Sequence, residues 1–164
     1  MSRSHVHIGP SRLPGDLELP EGPVTGLVIF AHGSGSSRLS PRNQFVARQL
    51  HARGLATLLF DLLTDEEARD RRYVFDIPLL ALRLGAALEW QQTRPEIARL
   101  PAGLFGASTG AAAALVAAAH FAERVGAVVS RGGRPDLAGT ALPRVRAPTL
   151  LIVGGADVEV LELN

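Results

Sequence analysis

The chain has 164 residues, 46% of them hydrophobic, enough for one domain with a buried core. A net charge of +1 leaves no charge-driven partner, and no basic run interleaved with aromatics points to nucleic acid. Cysteine is absent, which excludes disulfides, thiolate metal sites and cysteine nucleophiles together.

Residues 1–10 carry no apolar h-region, so no secretory signal is read there. The longest apolar stretch, residues 111–119, is too short and alanine-rich to span a bilayer. A soluble cytoplasmic protein is therefore expected. Residues 5–8 and 16–19 alternate weakly around Gly9-Pro10 and Pro14-Gly15, which predicts a hairpin-like pair. Residues 26–31 form a continuous apolar run of strand length, suited to a strand covered on both faces. Ser40-Pro41 supplies an N-cap and a first-turn proline. The helix they open places Val46 and Leu50 four apart beside Phe45 and stops at Gly54. His51 falls late in it, on the polar side, and is expected to be solvated.

Residues 56–60 repeat the apolar strand pattern, and the charged run 64–72 reads as a solvated loop. Asp76 caps a second helix, with Pro78 in its first turn and Leu80, Leu84 and Leu88 on one face. Residues 103–105 are a short strand, followed by a third helix from about Ser108 to Arg124 whose alanine face allows close approach to a sheet. Residues 126–129 and 149–153 are further strands; between them, residues 131–148 read as a loop or short irregular helix. This alternation predicts a single α/β domain over residues 1–164, with a mainly parallel sheet and helices on both faces.

Three constellations carry chemistry. Gly106-Ala-Ser-Thr-Gly110 follows a strand and opens a helix, the context of a nucleophile elbow in which Ser108 projects above the sheet. The helix N-terminus and the Thr109 N–H then face a developing oxyanion. His32-Gly-Ser-Gly35 follows an earlier strand, and Ser34 is the candidate for a second oxyanion-hole N–H. A phosphate-cradling loop is the rival reading there, without the Gly-Lys-Ser/Thr ending of a P-loop. Asp157, after Gly154-Gly155, is placed to orient a histidine, with Asp136 the weaker alternative. Arg131, near the same edge, is a candidate for a substrate carboxylate; an ion pair with Asp136 is the ordinary reading.

Residues 26–35, 54–61, 103–110 and 147–157, in this order, resemble the α/β-hydrolase superfamily, and within it the dienelactone-hydrolase-like group. The resemblance covers essentially the whole chain. It implies a hydrolase of an ester, thioester or lactone working through an acyl-enzyme at Ser108, with Ser34 and Thr109 as the oxyanion hole. It implies a small-molecule acyl substrate, with no cofactor and no metal expected; charge pattern and the short apolar stretch already speak against nucleic-acid and membrane partners. Serine stands where dienelactone hydrolases proper use cysteine, which points toward esterase-like chemistry. The family continues past the acid with a helix, a last strand, a histidine loop and a terminal helix. By that measure roughly 50 residues are missing here.

All five histidines precede Ser108. His120 lies about a dozen residues along the same helix, roughly 18 Å away at 1.5 Å per residue. His5 and His7 belong to the N-terminal strand pair, at the far side of the sheet. His32 alone is expected near Ser108, as part of the oxyanion loop or a substrate contact, with service as the base the alternative. The expectation is a hydrolase cut short before its catalytic histidine; the alternative is a non-catalytic remnant or binding module. Ending at the last strand also predicts an exposed sheet edge prone to self-association.

Overall fold

The computed structural model describes residues 1–164. It begins with strands β1 (Ser2–Ile8), β2 (Leu13–Leu19) and β3 (Gly26–Ala31), then helix α1 (Pro41–His51) and strand β4 (Leu55–Phe60). A 3-10 turn (Glu67–Arg69) and helix α2 (Arg71–Val74) lead to helix α3 (Ile77–Gln92), strand β5 (Ala102–Ala107) and helix α4 (Thr109–His120). Strand β6 (Val125–Arg131), an irregular 3-10 segment (Pro135–Arg144), strand β7 (Thr149–Ile152) and helix α5 (Val158–Glu162) complete the chain.

All seven strands join one sheet in the order β1-β2-β4-β3-β5-β6-β7. The β1–β2 hairpin is antiparallel and β2 meets β4 antiparallel, while β4, β3, β5, β6 and β7 run parallel. This is the α/β architecture the alternation predicts. Strand β3 shows why its residues are apolar throughout. Leu27, Ile29 and Ala31 enter the large core, and Phe30 enters a second cluster with Leu59, Phe105 and Ala47 of α1. Leu27, Ile29 and Phe30, fully buried, contribute roughly 1.5–3 kcal/mol each.

Helices α3 and α4 cover the large-core face. Ser40 and Asp76 cap α1 and α3 through the N–H groups of Asn43 and Leu79. Leu80, Leu84 and Leu88 of α3 are buried as expected. On α4, Ala111 to Ala114, Ala117 and Ala118 are all fully buried, so the helix backbone lies close to the strands.

Several local expectations are corrected. The buried face of α1 is Asn43, Ala47 and His51, while Phe45 is 57% exposed. His51 is not solvated: Thr57 of β4 offers its hydroxyl 2.7 Å from Nε2, and the ring packs inward to meet it. Helix α4 stops at His120, short of Arg124. The charged run 64–72 folds into short helices, because Thr64 and Glu67 cap each other and Arg83 of α3 binds Glu67 at 2.8 Å. The edge strand β7, where the sequence places self-association, exposes Leu150, Leu151 and Ile152.

Candidate active site

Ser108 occupies the turn between β5 and α4 with φ 51° and ψ −123°, a positive-φ conformation shared among non-glycine residues only by Arg12. Close packing forces this turn. A Cβ on Gly106 would lie 2.6 Å from the Ala111 nitrogen and the Gly110 oxygen. One on Gly110 would lie 2.6 Å from the His32 oxygen and closer still to that of Ala31. The first turn of α4 is thus pressed against the end of β3, and only glycine fits on either side of the serine. The Ser108 carbonyl is held by the N–H groups of Ala111 and Arg134, at 3.1 and 3.2 Å.

The loop after β3 passes directly beside the elbow. A Cβ on Gly33 would lie 3.1 Å from that of Ser108. Neither the Ser34 nor the Thr109 N–H has a backbone acceptor, so both remain available to a ligand. A cleft of about 210 Å³ opens here, lined among others by Gly33, Ser34, Thr109, Leu63 and Asp65.

The end of β4 grips this loop twice. His32, only 9% exposed, sets Nδ1 3.0 Å from the Gly33 oxygen, and its Nε2 accepts the Leu62 N–H at 3.0 Å. Acceptance at Nε2 leaves the proton on Nδ1, so the ring is a neutral tie between two backbone segments. At the other end of the loop, Asp61 accepts the Arg38 N–H at 2.7 Å and pairs with its guanidinium at 2.5 Å. Asp16, buried in β2, faces the same Arg38 at 3.7 Å and holds His5 and Arg3 at 2.5 and 3.1 Å. These ties were not read from the sequence. An aspartate closing a buried strand was the available signal, since such a group is rarely buried unpaired.

Burial holds both His32 and His51 below the ordinary histidine range, although the Gly33 carbonyl and Asp61 favour the charged form of the one and Glu18 that of the other. The unfolded chain, with histidines near 6.5, takes up protons first as pH falls. Their contribution to stability is therefore complete above about pH 6.5 and declines as pH falls through the lowered folded values. The urea midpoint should drop between pH 7.5 and 5, and by less in His51→Gln. A drop of the same size in His51→Gln would contradict this assignment.

The remaining candidates are more scattered. Asp157 is exposed and caps α5, its Oδ1 accepting the Val160 N–H at 3.3 Å. Asp136 is bound by Arg134, at 2.8 and 2.9 Å, and not by Arg131 as the ordinary reading has it. Arg131 donates instead to Asn43 of α1 at 3.0 Å. His5 is on the hairpin with Asp16, and His120 sits at the far end of α4 with Nδ1 3.0 Å from the Val116 oxygen. No helix is long and apolar enough to cross a membrane.

No family model matches the chain. A solved dienelactone hydrolase from Anabaena variabilis is 57% identical, with a TM-score of 0.93 over 99% of this chain and 77% of that one. The chain belongs to the dienelactone hydrolase family of α/β-hydrolases. Two more distant structures share the fold. A dienelactone hydrolase-like promiscuous phosphotriesterase from metagenomic libraries has TM-score 0.76 at 23% identity, covering 99% of this chain and 74% of that one. A cold-adapted esterase from an Arctic intertidal metagenomic library has TM-score 0.73 at 20% identity, covering 98% and 77%. Two Mycobacterium tuberculosis proteins, each named "Putative phosphoribosyl transferase", are 64% identical over 159 residues, 97% of this chain. This dienelactone hydrolase family chain spans 36% of their length.

Proposed function

We propose that this chain carries the nucleophile and oxyanion hole of a serine hydrolase acting on an ester, thioester or lactone. The observation that carries the reading is the strained turn at Ser108, wedged between Gly106 and Gly110 and opening a 12-residue helix. Ser108 Oγ attacks the carbonyl carbon, and the carbonyl oxygen becomes an oxyanion held by the N–H groups of Ser34 and Thr109. The alcohol, thiol or ring oxygen leaves with a proton, and water then releases the acid from the acyl-enzyme.

The attack needs a base to take the serine proton. His32 does not fill that role, because both of its ring nitrogens are engaged by backbone groups. We assign the base to a histidine from outside these 164 residues, oriented by Asp157. Loss of one triad member leaves about 10³-fold catalysis over water when the oxyanion hole is intact. The chain alone should therefore turn over slowly. Phosphoribosyl transfer, the activity in the mycobacterial proteins' name, is not the reading for this segment: an elbow serine beside two free N–H groups serves acyl transfer.

A fluorophosphonate probe tests the proposal. Ser108 should be labelled stoichiometrically but slowly, with labelling lost in Ser108→Ala. Absence of any adduct on Ser108, even on prolonged exposure, would point to a binding module instead.

A further inference from the structure

Arg131 ends β6 one strand over from the elbow. Its register partner on β5 is Ala107, the residue before Ser108. Neighbouring strands are about 4.8 Å apart, so both residues stand on the same rim of the sheet. Five arginines of the chain are half-buried. Arg38, Arg83, Arg94 and Arg134 each have a carboxylate within 2.8 Å. Arg131 has none. Its guanidinium lies over the Phe105 ring, 5.5 Å from the centroid, and donates through one terminal nitrogen to Asn43 Oδ1.

That arrangement holds the fork in place while leaving most of its five donors unused. The surroundings add positive charge and no negative charge. Burial, and secondarily the charge of Arg42, work against the protonated form of Arg131. The first turn of α1, which carries Arg42 and Asn43, has no acidic residue to offset its positive end. A cation kept partly out of water, pre-positioned and uncompensated, is completed by an anion.

We propose that Arg131, backed by Asn43 and Arg42, binds an oxyanion, a carboxylate or phosphate group, at the rim beside Ser108. As a substrate-recognition element this rests on the serine-hydrolase reading; the anion would be a second group of the ligand, apart from the carbonyl attacked. Binding itself does not depend on that reading.

The purified chain is titrated with sodium acetate and, separately, sodium phosphate, followed by the Arg131 Nε–H resonance and by calorimetry. A saturable shift at Arg131 is expected, and the tighter ion identifies the group recognised. Arg131→Leu should weaken binding by about tenfold or more, the size of one charge-assisted pair. Arg131→Lys should retain phosphate better than acetate, because it lacks the planar fork. Arg42→Ala, an exposed position, should weaken binding by about threefold and keeps the test decisive if Arg131→Leu does not fold. Saturation by neither ion, or wild-type binding in a folded Arg131→Leu, overturns the proposal. Fluorophosphonate labelling of the same sample separates the two ideas. A chain that labels but binds no anion refutes only the anion site, and one that binds anions without labelling refutes only the hydrolase.

Discussion

Gly110→Ala should cost the chain about 3–5 kcal/mol, a large share of the 5–15 kcal/mol typical of a domain. The added methyl meets backbone on the neighbouring strand, the carbonyl oxygens of Ala31 and His32, and neither is the free end of a side chain. Relief requires moving α4 off the sheet, and α4 is packed through fully buried alanines at 111–114, 117 and 118. Such overpacking is normally worth 1–3 kcal/mol where side chains can adjust. Here the obstacle is the β3 backbone itself, so the upper end and beyond applies. Urea denaturation of Gly110→Ala beside Gly155→Ala checks it. Gly155 has open space around its Cβ position and no positive φ, so that substitution should be nearly silent. Equal midpoints for the two variants would mean that α4 yields easily, and the packing argument for the elbow would fall with it.

Gly106 and Gly110 are legible in the sequence because the constraint on them is local. A strand, a sharp turn and a helix in immediate succession demand small residues at fixed offsets, and the motif displays them. The apolar run 26–31 coincides with strand β3 for a similar reason: a strand buried on both faces is apolar at every position. What the sequence hid depends on register across the sheet. The helical pattern puts His51 on the polar side of α1, yet β4 brings Thr57 under it. Asp16, Arg38 and Asp61 lie far apart in the chain and meet only once β2, β4 and the loop after β3 are assembled. The ordinary reading of Arg131 pairs it with Asp136 because the two are near in sequence, but Arg134, two residues from Asp136, reaches it through two nitrogens of its guanidinium. Proximity along the chain favoured one arginine and geometry the other.

Replacing the nucleophile with glycine should make the chain more stable, whereas replacing it with alanine should not. Ser108 is held at φ 51°, where a residue with a Cβ carries about 1–3 kcal/mol of strain. Ser108→Ala keeps the Cβ, hence the strain, and should melt close to wild type. Ser108→Gly removes it. Against that gain stands the extra flexibility of glycine in the unfolded chain, about 0.5–1 kcal/mol. The expected net is a stabilisation of about 1 kcal/mol, or roughly 2–4 °C in melting temperature for a chain of this size. Both variants should lose all fluorophosphonate labelling, so the difference between them isolates backbone strain from chemistry. Thermal melts of wild type, Ser108→Ala and Ser108→Gly should then rank glycine highest. If alanine and glycine instead melt together, the turn is relaxed and the strain has no part in presenting the serine. If glycine is highest, the stability given up at this one residue is what holds the serine in its turn, against the loop that carries Gly33 and Ser34.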